Sequence, residues 1–430
     1  MRGLAAAAAC VFAAFAVAAG GDSDSGSSSG SSGSTSSTSS SAGAGLDQAT
    51  SQLSKYVGGT AGAADSSKST ITFGLINDEG GVPSFPEGSA AADAAVKFLN
   101  EKLGGVGGHP IKVVTCKVAS GEEQGQACAQ RFLNDKSLTG VLEVALPIGG
   151  QAFHQTMAGK KPVIMTTPNT IASATGKNSF GISAGVFGTS PGFVGYASQF
   201  LKAKTVSLLF PNDDSTAQLA AKQIQQGFQK AGVKVTTGGF KGAATDLLAP
   251  VTASGATRTD ATVALLPTPP ACIAGAKAFQ QAGVNKPILA LGLCINEPVK
   301  KALGDFAKWT YVFGNVNPTD PNDPGAKAFT AAMKQYAPEG NTGGFAIHSF
   351  MGVLAMAKLA NDAGADGLTP ETFAAAAKAY RGPTPGLSTT LHPPGYIPDL
   401  SAMMTLGTRD YTYQGNGQFK DATGGKWVSG

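Results

Sequence analysis

The most catalytic-looking pattern in the 430 residues is Gly188-Thr189-Ser190-Pro191-Gly192, which has the G-x-S-x-G spacing of a hydrolase nucleophile elbow. An elbow holds its serine on a sharp strand-to-helix turn beside a histidine base. The histidines downstream, His348 and His392, lie in no recognisable catalytic setting. Ser before Pro is also ordinary helix capping, with Ser190 as N-cap and Pro191 at the first helical position, where its missing N–H is not needed. Capping is the preferred reading, and a secreted hydrolase using Ser190 is the outlying alternative. The acid pairs Asp78-Glu79 and Asp213-Asp214 read as solvated loop tips. Gly104 to Gly108 has neither phosphate-loop spacing and reads as a turn between helix and strand. The histidines His109, His154, His348 and His392 lack ligand spacing and C-x-x-C is absent, so neither a metal nor another cofactor is expected.

Arg2 and the apolar run Leu4 to Ala19 have the charged start, apolar middle and small-residue end of a signal peptide, giving a leader over 1–20. Downstream, no apolar run reaches the length of about 20 residues that spans a bilayer. Asp22 to Gly45 is nearly all Ser and Gly, too poor in apolar surface to offset the entropy of ordering, and 21–69 reads as a linker. Gly21 stands where a lipid-bearing Cys would follow the leader, and Cys10 lies too early, so a membrane anchor is suggested by the tether and opposed by the residue. An exported chain without its leader keeps Cys116, Cys128, Cys272 and Cys294. Their spacing suggests the pairs Cys116–Cys128 and Cys272–Cys294, each worth ~3 kcal/mol in the chain-entropy picture. A net charge of +4 with 14% charged residues offers no basic stripe for nucleic acid.

From Thr70 onward short apolar runs alternate with helical periods, the pattern of βαβ units on a parallel sheet. Strands are expected at 71–76, 111–115, 140–145 and 163–166, with helices near 87–103 and 122–134. The period then repeats, with strands at 206–210, 233–237, 261–266 and 288–291 and helices near 191–202, 215–231, 246–254 and 271–282. Right-handed crossovers deliver the following loops to one sheet edge. The site candidates are therefore Asn77 to Glu87, Leu146 to Gln151, Thr167 to Ala172, Pro211 to Ser215, Pro267 to Pro270 and Gly292 to Glu297. Phe85, between Pro83 and Pro86, cannot join a helix face and reads as a ligand wall.

The order of these segments resembles the leucine/isoleucine/valine-binding type of periplasmic binding protein. The resemblance rests on Ile71-Thr72-Phe73-Gly74-Leu75-Ile76, Ala94-Ala95-Val96-Lys97-Phe98-Leu99-Asn100, Gly104-Gly105-Val106-Gly107-Gly108-His109-Pro110-Ile111 and Lys161-Pro162-Val163-Ile164. It implies an α/β fold of two Rossmann-like lobes with parallel sheets joined by three hinge crossings. Lobe I would be 70–187 with 316–395, and lobe II 188–315 with 396–430. It also implies an extracytoplasmic, monomeric solute-binding protein, no enzyme, that hands a small-molecule ligand to the permease of an ABC transporter. A ligand sensor of the same fold is the alternative.

Carried onto this sequence, the ligand contacts would be Phe85, Ile148, Gly149, Thr167, Asn169, Thr170, Asp214, Thr268 and Asn296. The chain departs from the amino-acid-binding pattern in three places. Pro147-Ile148-Gly149-Gly150 replaces an expected Ser, Asp214-Ser215 and Thr268-Pro269 replace aromatics, and no acid to hold an ammonium is evident near Leu293-Cys294-Ile295-Asn296, with Glu297 the nearest. Burying an ammonium without a carboxylate costs several kcal/mol. A less charged or more apolar ligand therefore fits at least as well as an amino acid.

Overall fold

The structure, a computed structural model, describes residues 38–81 and 83–429. The leader, Gly21 and most of the Ser/Gly tract lie outside the described residues. The expected linker is not all linker. Helix α1 (Thr38–Val57) places Ala49, Leu53 and Val57 in the main core, and the chain beyond it is fastened by Gly62 N–H to Lys102 O and Ala64 N–H to Asn100 O. Leu46, Ala49, Leu53 and Val57 fall three or four residues apart, enough to make one apolar stripe in a polar tract.

The first sheet is built from β1 (Ile71–Asp78), α2 (Pro86–Lys102), β2 (Ile111–Val118), α3 (Glu122–Asn134), β3 (Leu138–Glu143), α4 (Gly150–Met157), β4 (Val163–Met165), α5 (Ile171–Thr175) and β5 (Ser179–Gly181). All its pairings are parallel, in the order β2-β1-β3-β4-β5. β3 is buried throughout, as expected of a strand covered on both faces, whereas edge strand β2 exposes Lys112 and Lys117. The Cys116–Cys128 disulfide ties β2 to α3.

A second lobe follows: α6 (Thr189–Gly195), running into a π-turn over Tyr196–Phe200, then β6 (Thr205–Pro211), α7 (Ser215–Lys230), β7 (Lys234–Phe240), α8 (Leu248–Ser254), β8 (Ala261–Ala264), α9 (Pro269–Gln281), β9 (Ile288–Leu291), α10 (Glu297–Leu303) and β10 (Thr310–Phe313). The Cys272–Cys294 disulfide joins α9 to the turn after β9. The chain then returns through α11 (Pro324–Tyr336), α12 (Ala346–Ala363) and α13 (Pro370–Ala379), whose buried faces belong to the core of the first lobe. A final hairpin, β11 (Arg409–Gly415) and β12 (Gln418–Asp421), completes a sheet ordered β12-β11-β10-β9-β8-β6-β7. Its two edge pairings are antiparallel, so the second sheet is mixed where an all-parallel one was expected.

The fold is thus α/β with two lobes and three crossings. Two boundaries differ from the sequence expectation. Ser190 is not an N-cap: α6 continues a 3-10 turn over Gly185–Gly188, with Gly188 preceding it and no side-chain cap. The third crossing also falls later than 396, because Gly181 N–H donates to Ala402 O and Met404 N–H to Gly181 O, which keeps residues 402–404 on the edge of β5. Where the crossings meet, Gly185 adopts φ +51° with the Pro168 carbonyl against it, and a Cβ at Gly188 would collide with Ala184. Neither position has room for a side chain.

Candidate functional site

In a sheet ordered 2-1-3-4-5 the chain winds in opposite directions from β1 and β3, and the crevice at their carboxyl ends is where ligands collect. The same reversal separates β6 from β8 in the second sheet. The loops after β1 and β3 in one sheet and after β6 and β8 in the other are therefore the candidates to border a cleft between two lobes. Two surface concavities, of about 430 and 480 Å³, lie instead at the amino edges of the sheets, one beside Lys160 and Lys161, the other beside Lys286 and Lys308. Neither coincides with the strand-end loops.

On lobe I the loops are wired to one another. Asp78, read from sequence as solvated, is 1% exposed and accepts a hydrogen bond from Ile148 N–H at 2.9 Å across the β1–β3 reversal. Burial pushes its carboxyl up to about 7, with Glu143 and Glu122 adding to the rise and the Ile148 N–H opposing it. Glu122 accepts from Gly149 N–H and Ala152 N–H. Gly149 sits at φ +79°, a conformation that strains other residues, and a Cβ there would crowd Val118 and the Gly121 carbonyl. The backbone donors of Ile148 and Gly149, expected to meet ligand, are therefore engaged within the protein. Asn169 donates its amide to Leu146 O and accepts from Leu146 N–H, tying the β4 loop to the β3 loop.

Beneath these loops Glu143, fully buried, pairs with His154 Nε2 at 2.5 Å. His348, on α12, donates Nδ1–H to the Thr166 carbonyl at 2.7 Å, which fixes the tautomer. Burial lowers its pKa to about 4, so it is neutral at physiological pH. Phe85 meets Phe345 edge to face at 4.7 Å, and Phe345 continues to His348 at 5.8 Å, forming an aromatic shelf at the mouth of the lobe. Glu87 accepts from Phe345 N–H and holds the start of α12 against this loop, with its own pKa raised by burial. Neither His348 nor His392 is hydrogen-bonded to Ser190, and His392 stacks on Tyr396.

The remaining candidates are helix caps. Thr170 accepts from Ser173 N–H in a capping box on α5, Asp214 from Ala217 N–H, Thr268 from Ala271 N–H and Asn296 from Val299 N–H. Thr167 is the exception: 6% exposed, its hydroxyl has no partner among the described residues. Sequence reading missed Glu143, Phe345 and the burial of Asp78 and His348, and the partners of Asp78, Phe345 and His348 lie far away in the chain. It also missed Phe313 at the end of β10, half-buried against Tyr411.

A family model described as periplasmic binding protein matches residues 70–396. No curated protein matches the chain. Among solved structures, a leucine-binding protein from Thermotoga maritima is similar at 14% identity and TM-score 0.63, over 84% of this chain and 99% of its own. A solute-binding protein of an ABC transporter from R. palustris, in complex with 4-hydroxybenzoate, is similar at 17% identity and TM-score 0.64 over 84% and 96%. A branched-chain amino acid transporter substrate-binding protein from Streptococcus pneumoniae, in complex with isoleucine, is similar at 19% and 0.61 over 84% and 100%. Two lobes with sheets of this order and a family match over most of the chain lead to one conclusion: the chain belongs to the periplasmic binding protein family.

Proposed function

We propose that this protein captures a small, largely apolar solute between its lobes outside the cytoplasm and delivers it to the permease of an ABC-type importer. The observation that carries the reading is where apolar surface is left open. Of the large hydrophobic side chains exposed among the described residues, Ile171 (54%), Leu219 (46%) and Leu293 (45%) lie on segments leaving the carboxyl ends of β4, β6 and β9, and Val186 (43%) lies on the first crossing. Only Tyr396 lies elsewhere. Exposed apolar surface costs about 25 cal/mol per Å², so side chains kept open on both lobes favour closure around an apolar guest.

The charge pattern supports the same ligand class. The six strand-end segments contain no Lys, Arg or His, and their best-buried acid, Asp78, already holds Ile148 N–H. A bound solute would be oriented by the free Thr167 hydroxyl and by helix N-termini rather than by a salt bridge, with Phe85 as a wall. The ligands of similar structures span this range, from isoleucine and 4-hydroxybenzoate to the cargo of a fatty acid transporter protein from Thermomonospora curvata.

Thermal-shift and calorimetric titration with isoleucine, 4-hydroxybenzoate, hexanoate and hexanamide tests the reading. A solute at 100 times its Kd adds about 2.7 kcal/mol of stability. Saturable stabilisation by at least one apolar probe, exceeding that by isoleucine, is expected. Absence of any shift, together with ester turnover lost in Ser190→Ala, would replace this reading with the hydrolase.

A further inference from the structure

Arg409 opens β11 just after the third crossing, with its side chain 4% exposed. Its guanidinium is shared among three carboxylates: Asp421 at the end of β12 (3.0 Å), Asp320 on the second crossing (3.5 Å) and Asp323 where the same stretch enters α11 (3.8 Å). Asp323 is the N-cap of α11, accepting from Ala326 N–H, and α11 is packed into the core of lobe I. Tyr411 donates its hydroxyl to Asp320, and the rings of Tyr411 and Trp427 lie 5.4 and 5.8 Å from the guanidinium carbon. One cation therefore joins the terminal hairpin of lobe II, the second crossing and the first turn of a lobe I helix.

The distances are graded. The grip within lobe II is short, and the two grips toward the crossing and lobe I are longer. A planar guanidinium with five donors can keep its bond to Asp421 while trading Asp323 against Asp320 as the second crossing turns. A well-packed apolar contact would lose its complementarity on such a rotation, whereas a shared ion cluster has alternatives at nearly equal distance. The adjoining crossings, with Gly185, Gly188 and Gly314 in contact range of one another's segments, leave few side chains to hold the lobes at a set angle.

We propose that Arg409 is a positioning residue for solute capture, setting the angle between the lobes by holding the β11–β12 hairpin to Asp320 and Asp323. This rests on the reading that solute is enclosed between the lobes, but its test needs no solute. Small-angle scattering of the full mature chain without added ligand should give a larger radius of gyration and a broader distance distribution for Arg409→Met than for the parent. Arg409→Lys, which keeps one charge but not the fork, should recover part of the difference. Asp323→Asn keeps a cap acceptor for α11 and removes one of the longer grips, and is expected to shift the scattering in the same direction by less, with an unchanged melting temperature. If Arg409→Met folds and scatters as the parent does, the proposal is lost. If Arg409→Met does not fold, parent-like scattering of Asp323→Asn overturns it. Failure of every solute titration would leave these outcomes intact, so the two readings fail separately.

Discussion

The carboxyl edges of the two sheets are built on different plans. In lobe I, polar groups of the loops are spent on each other, as Asp78 on Ile148, Glu122 on Gly149 and Asn169 on Leu146, over a buried Glu143–His154 pair. In lobe II, Asp214, Thr268 and Asn296 each cap the helix that follows them, and Asp214 and Thr268 stay exposed. One edge is cross-linked by hydrogen bonds between its loops; the other is a row of helix starts that cap themselves, two of them tied by the Cys272–Cys294 disulfide. Lobe I thus presents a wall wired through its polar groups, whereas in lobe II the start of α7 can adjust without disturbing α9 and α10, which the Cys272–Cys294 disulfide couples.

If this contrast is right, single changes should travel far in lobe I and stay local in lobe II. The largest effect is expected for His154→Ala, which leaves Glu143 buried and uncompensated. A loss of about 3–5 kcal/mol in urea unfolding is expected, and a loss below 1 kcal/mol would show that the pair does not organise the lobe. Next comes Asp78. Its folded pKa, about 7, lies above the unfolded value near 3.9, so its contribution is complete below pH 4 and is lost as the pH rises through 7. The parent should lose on the order of 2 kcal/mol between pH 5 and pH 8, the full shift being discounted for screening. Asp78→Asn, which can still accept from Ile148, should flatten that slope, and an identical slope in both proteins would remove Asp78 from the network. The smallest effects belong to the caps. Asp214→Ala and Thr268→Ala should each cost about 1 kcal/mol, and should add when combined because no disulfide or hydrogen bond joins α7 to α9 among the described residues. A marked departure from additivity would mean that α7 is coupled to α9 as well.

Much of the fold was legible because βαβ units announce themselves through alternating periods. The helix expected over 87–103 is α2 at Pro86–Lys102, and both cysteine pairs were readable from spacing. The terminal hairpin had a usable signal in Asn416-Gly417, both at positive φ, and was missed because two short strands lie among turn residues. Capping was also readable: Thr268-Pro269 and Asn296-Glu297-Pro298 put an oxygen before a proline in the first turn. What one sequence does not carry is the destination of a loop acid. Asp78 meets Ile148 seventy positions away, and nothing local separates it from Asp213, which stays exposed and accepts from Gly242 N–H. Topology picks out the candidate loops, whereas the hydrogen bonds among them are set by tertiary contacts.

The first helix marks a difference between the unit that is inherited and the unit that folds. Family likeness begins at residue 70, yet α1 supplies Ala49, Leu53 and Val57 to the core shared with α11 and α12, and Asn361 reaches back to hold the carbonyl of Val57. A chain begun at the family boundary would uncover that face of α11 and α12 and leave Asn361 without its partner. For expression or grafting, the natural edge of this protein therefore lies ahead of Leu46, inside a tract whose composition reads as spacer.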